Sequence, residues 1–319
     1  MQLHLDQPLA HWLPLPSDLP FTRREALAHG LTDRDLRRLV EQGLLRRPLR
    51  GVFVDARLPD TLDLRVATLT KVMPEGCFVA DRTAGWLHGA NMILAPNDHL
   101  TLPKVSLFHL PGNRCRRDLA SSGERDVTAH DLVEVGGLQA TSPLRTALDL
   151  GRLLPRAQAL AALDSLLGLG VFTDNQLLGE VERFAKQRGV RQLRFLAPLA
   201  DALAASPGES GLRLLWYDGG LPKPRLQIPY VEDGREVFHL DMGLEEIRFA
   251  AEYDGEEWHS ASDAAHDRRR RTRMREQAGW QIEEFRREDV FGHRKDADWA
   301  LRSAVAQARR SFDRRTRHL

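Results

Sequence analysis

Apolar positions along this chain follow two rhythms, a helical spacing of three and four and a strict alternation, and each marks its own elements. The run FTRREALAHGLTDRDLRRLVEQGLLRRPLRGVFVD, residues 21–55, reads as two short helices followed by a strand pair. Thr22 and Thr32 stand as N-caps and Glu25 completes a capping box. Gly30 ends the first helix, and Gly43 sits at the C-terminus of the second. Leu36, Leu39 and Val40 form the inward stripe of that second helix. Leu44 and Leu45, an arginine-rich turn, and Gly51 to Val54 predict a β-wing. Two helices joined by a glycine turn, then a wing, are the parts of a winged helix-turn-helix.

The pattern is less regular over residues 58–150. Helices are expected over 62–73, 82–88 and 141–154, with extended segments at 78–80, 100–110 and 131–140 and a turn at Gly136-Gly137. Asp81 and His88 read as structural. Residues 151–205 are rich in leucine and alanine and predict a helical connector, broken at Gly168–Gly170 and capped again at Thr173. Its Arg188, Arg191 and Arg194 read as an exposed helix face.

From Ser206 onward the two rhythms alternate. Ser206 opens a helix through Tyr217 whose stripe is Leu212, Leu215 and Trp216. Leu226–Val231 and Glu236–Met242 predict a hairpin turning at Asp233-Gly234. Ile247–Asp254 is a third strand, Ser262–Ala278 an arginine-rich helix, Trp280–Phe285 a fourth strand, and 296–312 a last helix. The order is αβββαβα. On the third strand Ile247, Phe249, Ala251 and Tyr253 take the core face, and Ala250, Glu252 and Asp254 take the other. Asp241 ends the second strand. Carboxylates gathered in this way repel unless a cation neutralises them, and hard oxygen donors suit Mg²⁺ or Mn²⁺. Glu209 has a local explanation as well, a capping box with Ser206 and an i,i+4 pair with Arg213.

Composition narrows the classes. With 319 residues, 42% hydrophobic and 29% charged, the chain reads as a globular protein of several domains. Its formal net charge of +1 excludes a polybasic glove, so any nucleic-acid contact must be local. Five of the 46 basic residues are lysine; a GC-rich genome and the bidentate grip of arginine on phosphate both account for that skew. Cys77 and Cys115 exclude a disulfide framework and fit a reducing, cytoplasmic setting. The N-terminus lacks a secretory pattern, and the apolar stretch 157–172 is too short to span a bilayer and is broken by Asp164. No membrane partner is expected, and the oligomeric state stays open.

DNA is the expected partner. Arg34, Arg37 and Arg38 on the second helix would enter the major groove, and Arg46, Arg47 and Arg50 in the wing would meet phosphates. Arg268, Arg270, Arg271 and Arg273, beside the acidic cluster, would draw in a phosphate backbone.

Two resemblances carry further expectations. Residues 21–55, with the phrases ADRTAGWLHG and TSPLRTALDL, resemble AbiE-type antitoxins and related bacterial regulators. The run from Asp241 through AEYDG, Trp258 and His259, then the arginine-rich helix and GWxIxxF at 279–285, resembles the Vsr-like branch of the PD-(D/E)XK nucleases. That second resemblance implies a restriction-endonuclease-like αβββαβ core. Asp241 and Glu252 would be metal carboxylates, Asp254 a third ligand or orienting group, Glu209 an acidic residue of the first helix, and His259 a general base or acid. The lysine that the pattern places two residues after the glutamate is Asp254 here. Its role would fall to His259, to Arg270 or Arg271, or to no residue.

The expected class is therefore an α/β multidomain protein: a winged helix-turn-helix over 15–57, an α/β middle region over 58–150, a helical connector over 151–205 and the nuclease-like core over 206–312. The leading expectation is a metal-dependent DNA endonuclease targeted by the N-terminal domain. The alternative is a non-catalytic DNA-binding regulator of antitoxin type whose nuclease fold is inactive.

Overall fold

The computed structural model describes residues 15, 17–100, 104–111, 120–232, 235–255, 279–292 and 296–316. The chain forms two compact units, one of residues 1–92 and 97–150, the other of residues 93–96 and 151–319. The first two expected stretches thus share one unit and the last two share the other.

In the first unit, helices α1 (Arg23–Ala28) and α2 (Asp33–Glu41) both begin in capping boxes. Thr22 Oγ1 accepts the Glu25 amide at 3.2 Å, and the Glu25 carboxylate accepts the Thr22 amide at 2.6 Å. Thr32 and Asp35 repeat the exchange. The helices pack on a three-stranded antiparallel sheet in the order β1-β3-β2, with β1 Phe21–Thr22, β2 Leu45–Leu49 and β3 Val52–Asp55. Phe21, Ala26, Leu36, Leu39, Leu45 and Phe53 form the core between them. β1 escaped the sequence reading because two residues show no alternation. Arg46 and Arg47 belong to strand β2 and not to the turn, which is only Arg50-Gly51. Gly51 has φ +83°, a left-handed conformation that glycine adopts without steric cost.

Continuing through this unit, α3 (Leu62–Thr70), α4 (Asp81–Leu87) and α5 (Pro143–Leu153) accompany a mixed five-stranded sheet ordered β6-β5-β4-β8-β7. Its strands are β4 Phe78–Val79, β5 Val105–His109, β6 Ala120–Glu124, β7 Leu132–Val135 and β8 Leu138–Thr141. The Gly136-Gly137 turn joins β7 to β8, both residues having positive φ. Leu49 and Val52 of the wing share a core with Leu69, Val79, Leu87, Val105 and Leu107. This shared core is why no boundary falls at residue 57. An ionic network joins α5 to the start of α4 and to the residues flanking β6 and β7. Arg145 bonds Asp131 at 2.8 Å and Asp149 at 2.9 Å, while Arg125 bonds Asp81 and, at 3.2 Å, Asp149.

The second unit begins with α6 (Arg156–Leu167), α7 (Asp174–Glu180), α8 (Val190–Leu196) and α9 (Pro207–Asp218). Asp164, the residue interrupting the apolar stretch, is buried in α6 and anchors α9: Arg213 Nη2 donates to it at 2.5 Å and Ser210 Oγ at 2.6 Å. Burial pushes its carboxyl upward, and the guanidinium opposes that shift. Arg213 therefore pairs with Asp164 and not with Glu209 as the spacing predicted.

The sheet of this unit is ordered β12-β11-β10-β9, with β9 Arg225–Glu232, β10 Arg235–Leu244, β11 Phe249–Asp254 and β12 Gln281–Arg286. β9, β10 and β11 run antiparallel, and β12 is parallel to β11. α10 (Arg287–Phe291) and α11 (Ala297–Thr316) follow. Leu212, Trp216, Met242, Phe249, Ala251, Phe285, Leu301 and Val305 form the core on one face of the sheet. Ile228, Leu240, Ala250 and Ile282 form a smaller cluster. The third strand starts at Phe249 and not at Ile247, because Glu245–Ile247 close a 3-10 turn and Arg248 has φ +51°. The last helix runs beyond the expected 312, through Thr316. At Gly208 an added Cβ would lie 2.0 Å from Cε1 of Tyr253, so α9 rests directly on β11. The expected turn at Asp233-Gly234 and the arginine-rich helix 262–278 lie outside the described residues.

Candidate functional site

Two places in the chain gather chemistry, one in each unit. The first is the outer face of α2 and the wing. Capping boxes fix where both helices begin, and Arg23 grips Asp33 through two bonds of 2.6 and 2.5 Å. These contacts hold the start of α2 against the start of α1. Arg34, Arg37 and Arg38 are exposed along α2, as are Arg47 and Arg50 on the wing. Arg37 and Arg47 border a common groove of about 530 Å³ with Leu36, Val40 and Phe53, so helix and wing arginines are brought together on one side. The Arg47 guanidinium lies 5.6 Å from the Phe53 ring centre, a cation–π contact that holds it there. Arg46 differs: its Nη2 donates to the Leu58 carbonyl at 3.0 Å and it is half-buried. Arg46 thus also braces the wing through one of its nitrogens.

The second place lies at the junction of α9, β9, β10 and β11. Asp241 Oδ2 accepts the backbone amide of Tyr253 at 2.7 Å, so its carboxylate touches the peptide that joins Glu252 to Tyr253. Glu252 is 4% exposed on the central strand, and Asp241 and Glu252 are therefore neighbours. Gln227 was not anticipated. It falls opposite Asp241 between the register pairs Leu226–Met242 and Ile228–Leu240, has φ +46°, and donates from Nε2 to Glu209 at 3.0 Å. Glu209 is thereby tied to the same corner. Its capping differs from the expected box: Ser206 Oγ accepts the Glu209 amide at 3.1 Å, but the Glu209 carboxylate turns back to the Ala205 amide at 3.0 Å. Burial pushes the Glu209 carboxyl upward, with these donors pulling the other way. Asp254 is half-buried and sits across from Arg286, while Glu252 sits across from Glu284, a carboxylate also missed.

Among the described residues, no three His, Cys, Asp or Glu side chains group so as to hold a metal ion. Asp241 and Glu252 face each other on adjacent strands, where Asp241 gives one oxygen to an amide and Glu252 is enclosed. His259, Arg268, Arg270, Arg271 and Arg273 lie outside the described residues. No helix among the described residues is long and apolar enough to cross a membrane.

Residues 20–54 match the family described as "Transcriptional regulator, AbiEi antitoxin", and residues 75–199 match "AbiEi antitoxin C-terminal domain". Uncharacterized proteins of two Mycobacterium tuberculosis strains, CDC 1551 / Oshkosh and ATCC 25618 / H37Rv, are each 34% identical over 245 residues, covering 76% of this chain and 86% of the relative. The chain belongs to the AbiEi antitoxin family.

For an AbiEi antitoxin-family chain the division of the molecule acquires meaning. The first matched range covers α1, α2 and the wing with all six arginines singled out there. The second runs from β4 to the end of α8 and contains the Arg125–Asp149–Arg145–Asp131 network. Both ranges end before the β9–β12 sheet. Sequence reasoning missed that network because, apart from Arg145 and Asp149 one helical turn apart, its ion pairs join residues far apart in the chain, Arg125 to Asp81 across 44 positions.

Proposed function

We propose that this AbiEi-family protein is a DNA-binding transcriptional regulator of the antitoxin type, with α2 as the element that enters the major groove. The observation that carries this reading is the exposed set Arg34, Arg37 and Arg38 on a helix fixed by capping at its start, with Arg47 of the wing bordering one groove with Arg37. A helix-turn-helix reads bases from the N-terminal part of its second helix and lets the wing meet phosphates. The test is fluorescence anisotropy on duplex DNA drawn from the region upstream of its own gene. Replacing Arg37 and Arg38 by alanine is expected to weaken binding by about 2 kcal/mol or more if either reads a base edge. Unchanged affinity in that double variant rejects the assignment.

A second reading, phosphodiester cleavage by the second unit, is favoured by one observation, the contact of Asp241 with the Glu252–Tyr253 peptide on a central strand. On this reading Asp241, Glu252 and Glu209 hold the corner and His259 supplies a proton-transfer group. Its check is incubation with supercoiled DNA and Mg²⁺ or Mn²⁺, beside Asp241→Ala/Glu252→Ala. Cutting by the parent that the double variant loses supports it. Binding without cutting by either form leaves the regulator alone.

A further inference from the structure

A cavity of about 740 Å³ opens in the first unit between the wing, the start of α1 and the loop after α3. Its floor is apolar: Met73 packs against the core that includes Val105 and Leu107 of β5, and all three line the cavity. Its rim is cationic. Two of the charges there are already matched, Arg23 by Asp33 and Lys71 by Glu25 at 2.7 Å. Arg24, Arg47 and Arg50 also line it, and among the described residues none of the three has a carboxylate partner.

An apolar floor beneath unmatched guanidiniums is not how a solvated charge run is built. Guanidiniums spread on a convex surface face water alone, whereas these border a concavity within the range of about 300–1,000 Å³ that small molecules occupy. We infer that this cavity is a binding site for a small organic anion, one with an apolar body to lie on Met73, Val105 and Leu107 and a carboxylate or phosphate head for Arg24 and Arg50. A carboxylate or phosphate accepts paired donors from arginine, and the partly enclosed floor strengthens that attraction. The body supplies affinity by leaving water, and the head supplies orientation. A bare inorganic anion uses only half of the site.

The test is titration calorimetry on the full-length protein with three probes: decanoate as an aliphatic carboxylate, adenosine diphosphate as a nucleotide, and inorganic phosphate as a head alone. One of the two organic anions is expected to bind once per chain with Kd below about 100 µM, and inorganic phosphate at least about tenfold more weakly. Which organic anion binds identifies the source of the ligand. Arg50→Glu, at an exposed turn position, and Met73→Trp, which fills the floor, are each expected to weaken binding about tenfold or more. If Met73→Trp does not fold, Arg50→Glu carries the test alone. Three results overturn the site: neither organic anion binding below about 1 mM, inorganic phosphate binding as tightly as both, or Arg50→Glu binding like the parent. No DNA enters this experiment, so its outcome is separate from that of the duplex titration.

Discussion

His88 holds its Nε2 2.7 Å from the Thr141 carbonyl oxygen, and burial lowers its pKa from the ordinary 6.5, with that hydrogen bond opposing. The folded protein therefore prefers the neutral ring, which donates through Nε2. Because the folded pKa is depressed, the stability His88 contributes is present above about pH 6.5 and is lost as pH falls through the lower folded value. Melting temperature measured from pH 7.5 to 5 is expected to drop on the acid side, and His88→Gln, which keeps a donor near Thr141, is expected to flatten part of that drop. An identical acid slope in the variant rejects the assignment. At this scale the sequence told much about capping and little about buried charge. Thr22 with Glu25 and Thr32 with Asp35 act across three residues, so their chemistry is visible in the order of letters. The bond from Arg213 to Asp164 spans 49 positions, and nothing in the spacing distinguished it from the nearer Glu209.

Among elements, the pairing of α6 with α9 depends on that bond. Asp164 and Arg213 are 2% and 1% exposed, so removing one partner leaves a desolvated charge. Arg213→Ala is expected to destabilise by about 3–5 kcal/mol, while Asp164→Leu with Arg213→Met should recover most of the loss. Chemical denaturation of the three proteins checks this; a harmless Arg213→Ala would mean that water reaches Asp164. The strands of this unit were legible to within a few residues because alternation put Phe249, Ala251 and Tyr253 on one face. The start of β11 was not, since Ile247 keeps the alternation while its backbone closes a turn. In the wing, charge density drew Arg46 and Arg47 into a turn that backbone conformation assigns to Arg50-Gly51. The acidic corner was legible as residue types on adjacent strands, yet Gln227, the side chain that ties Glu209 to it, has no ionic signature to find.

For the molecule as a whole, the near-neutral charge sets a quantitative expectation. Five arginines, Arg34, Arg37, Arg38, Arg47 and Arg50, are exposed on α2 and the wing. If each meets one phosphate, the logarithm of the duplex binding constant should fall with the logarithm of salt concentration at a slope of about −4 to −5 per chain. A slope near −1 would remove most of them from the interface. Each unit carries hydrophobic clusters of its own, so scanning calorimetry is expected to resolve more than one transition, with Arg213→Ala shifting only one of them. The bare face of α9 at Gly208 bears on how the acidic corner can vary. With hydrogen alone at that position, the helix backbone sets its distance from the Tyr253 ring, and with it the reach of Glu209 toward β9. Even a methyl group would prise the two apart, so Gly208→Ala should disturb the corner while leaving every carboxylate in place. The spacing of that corner is thus written in a residue that bears no functional group.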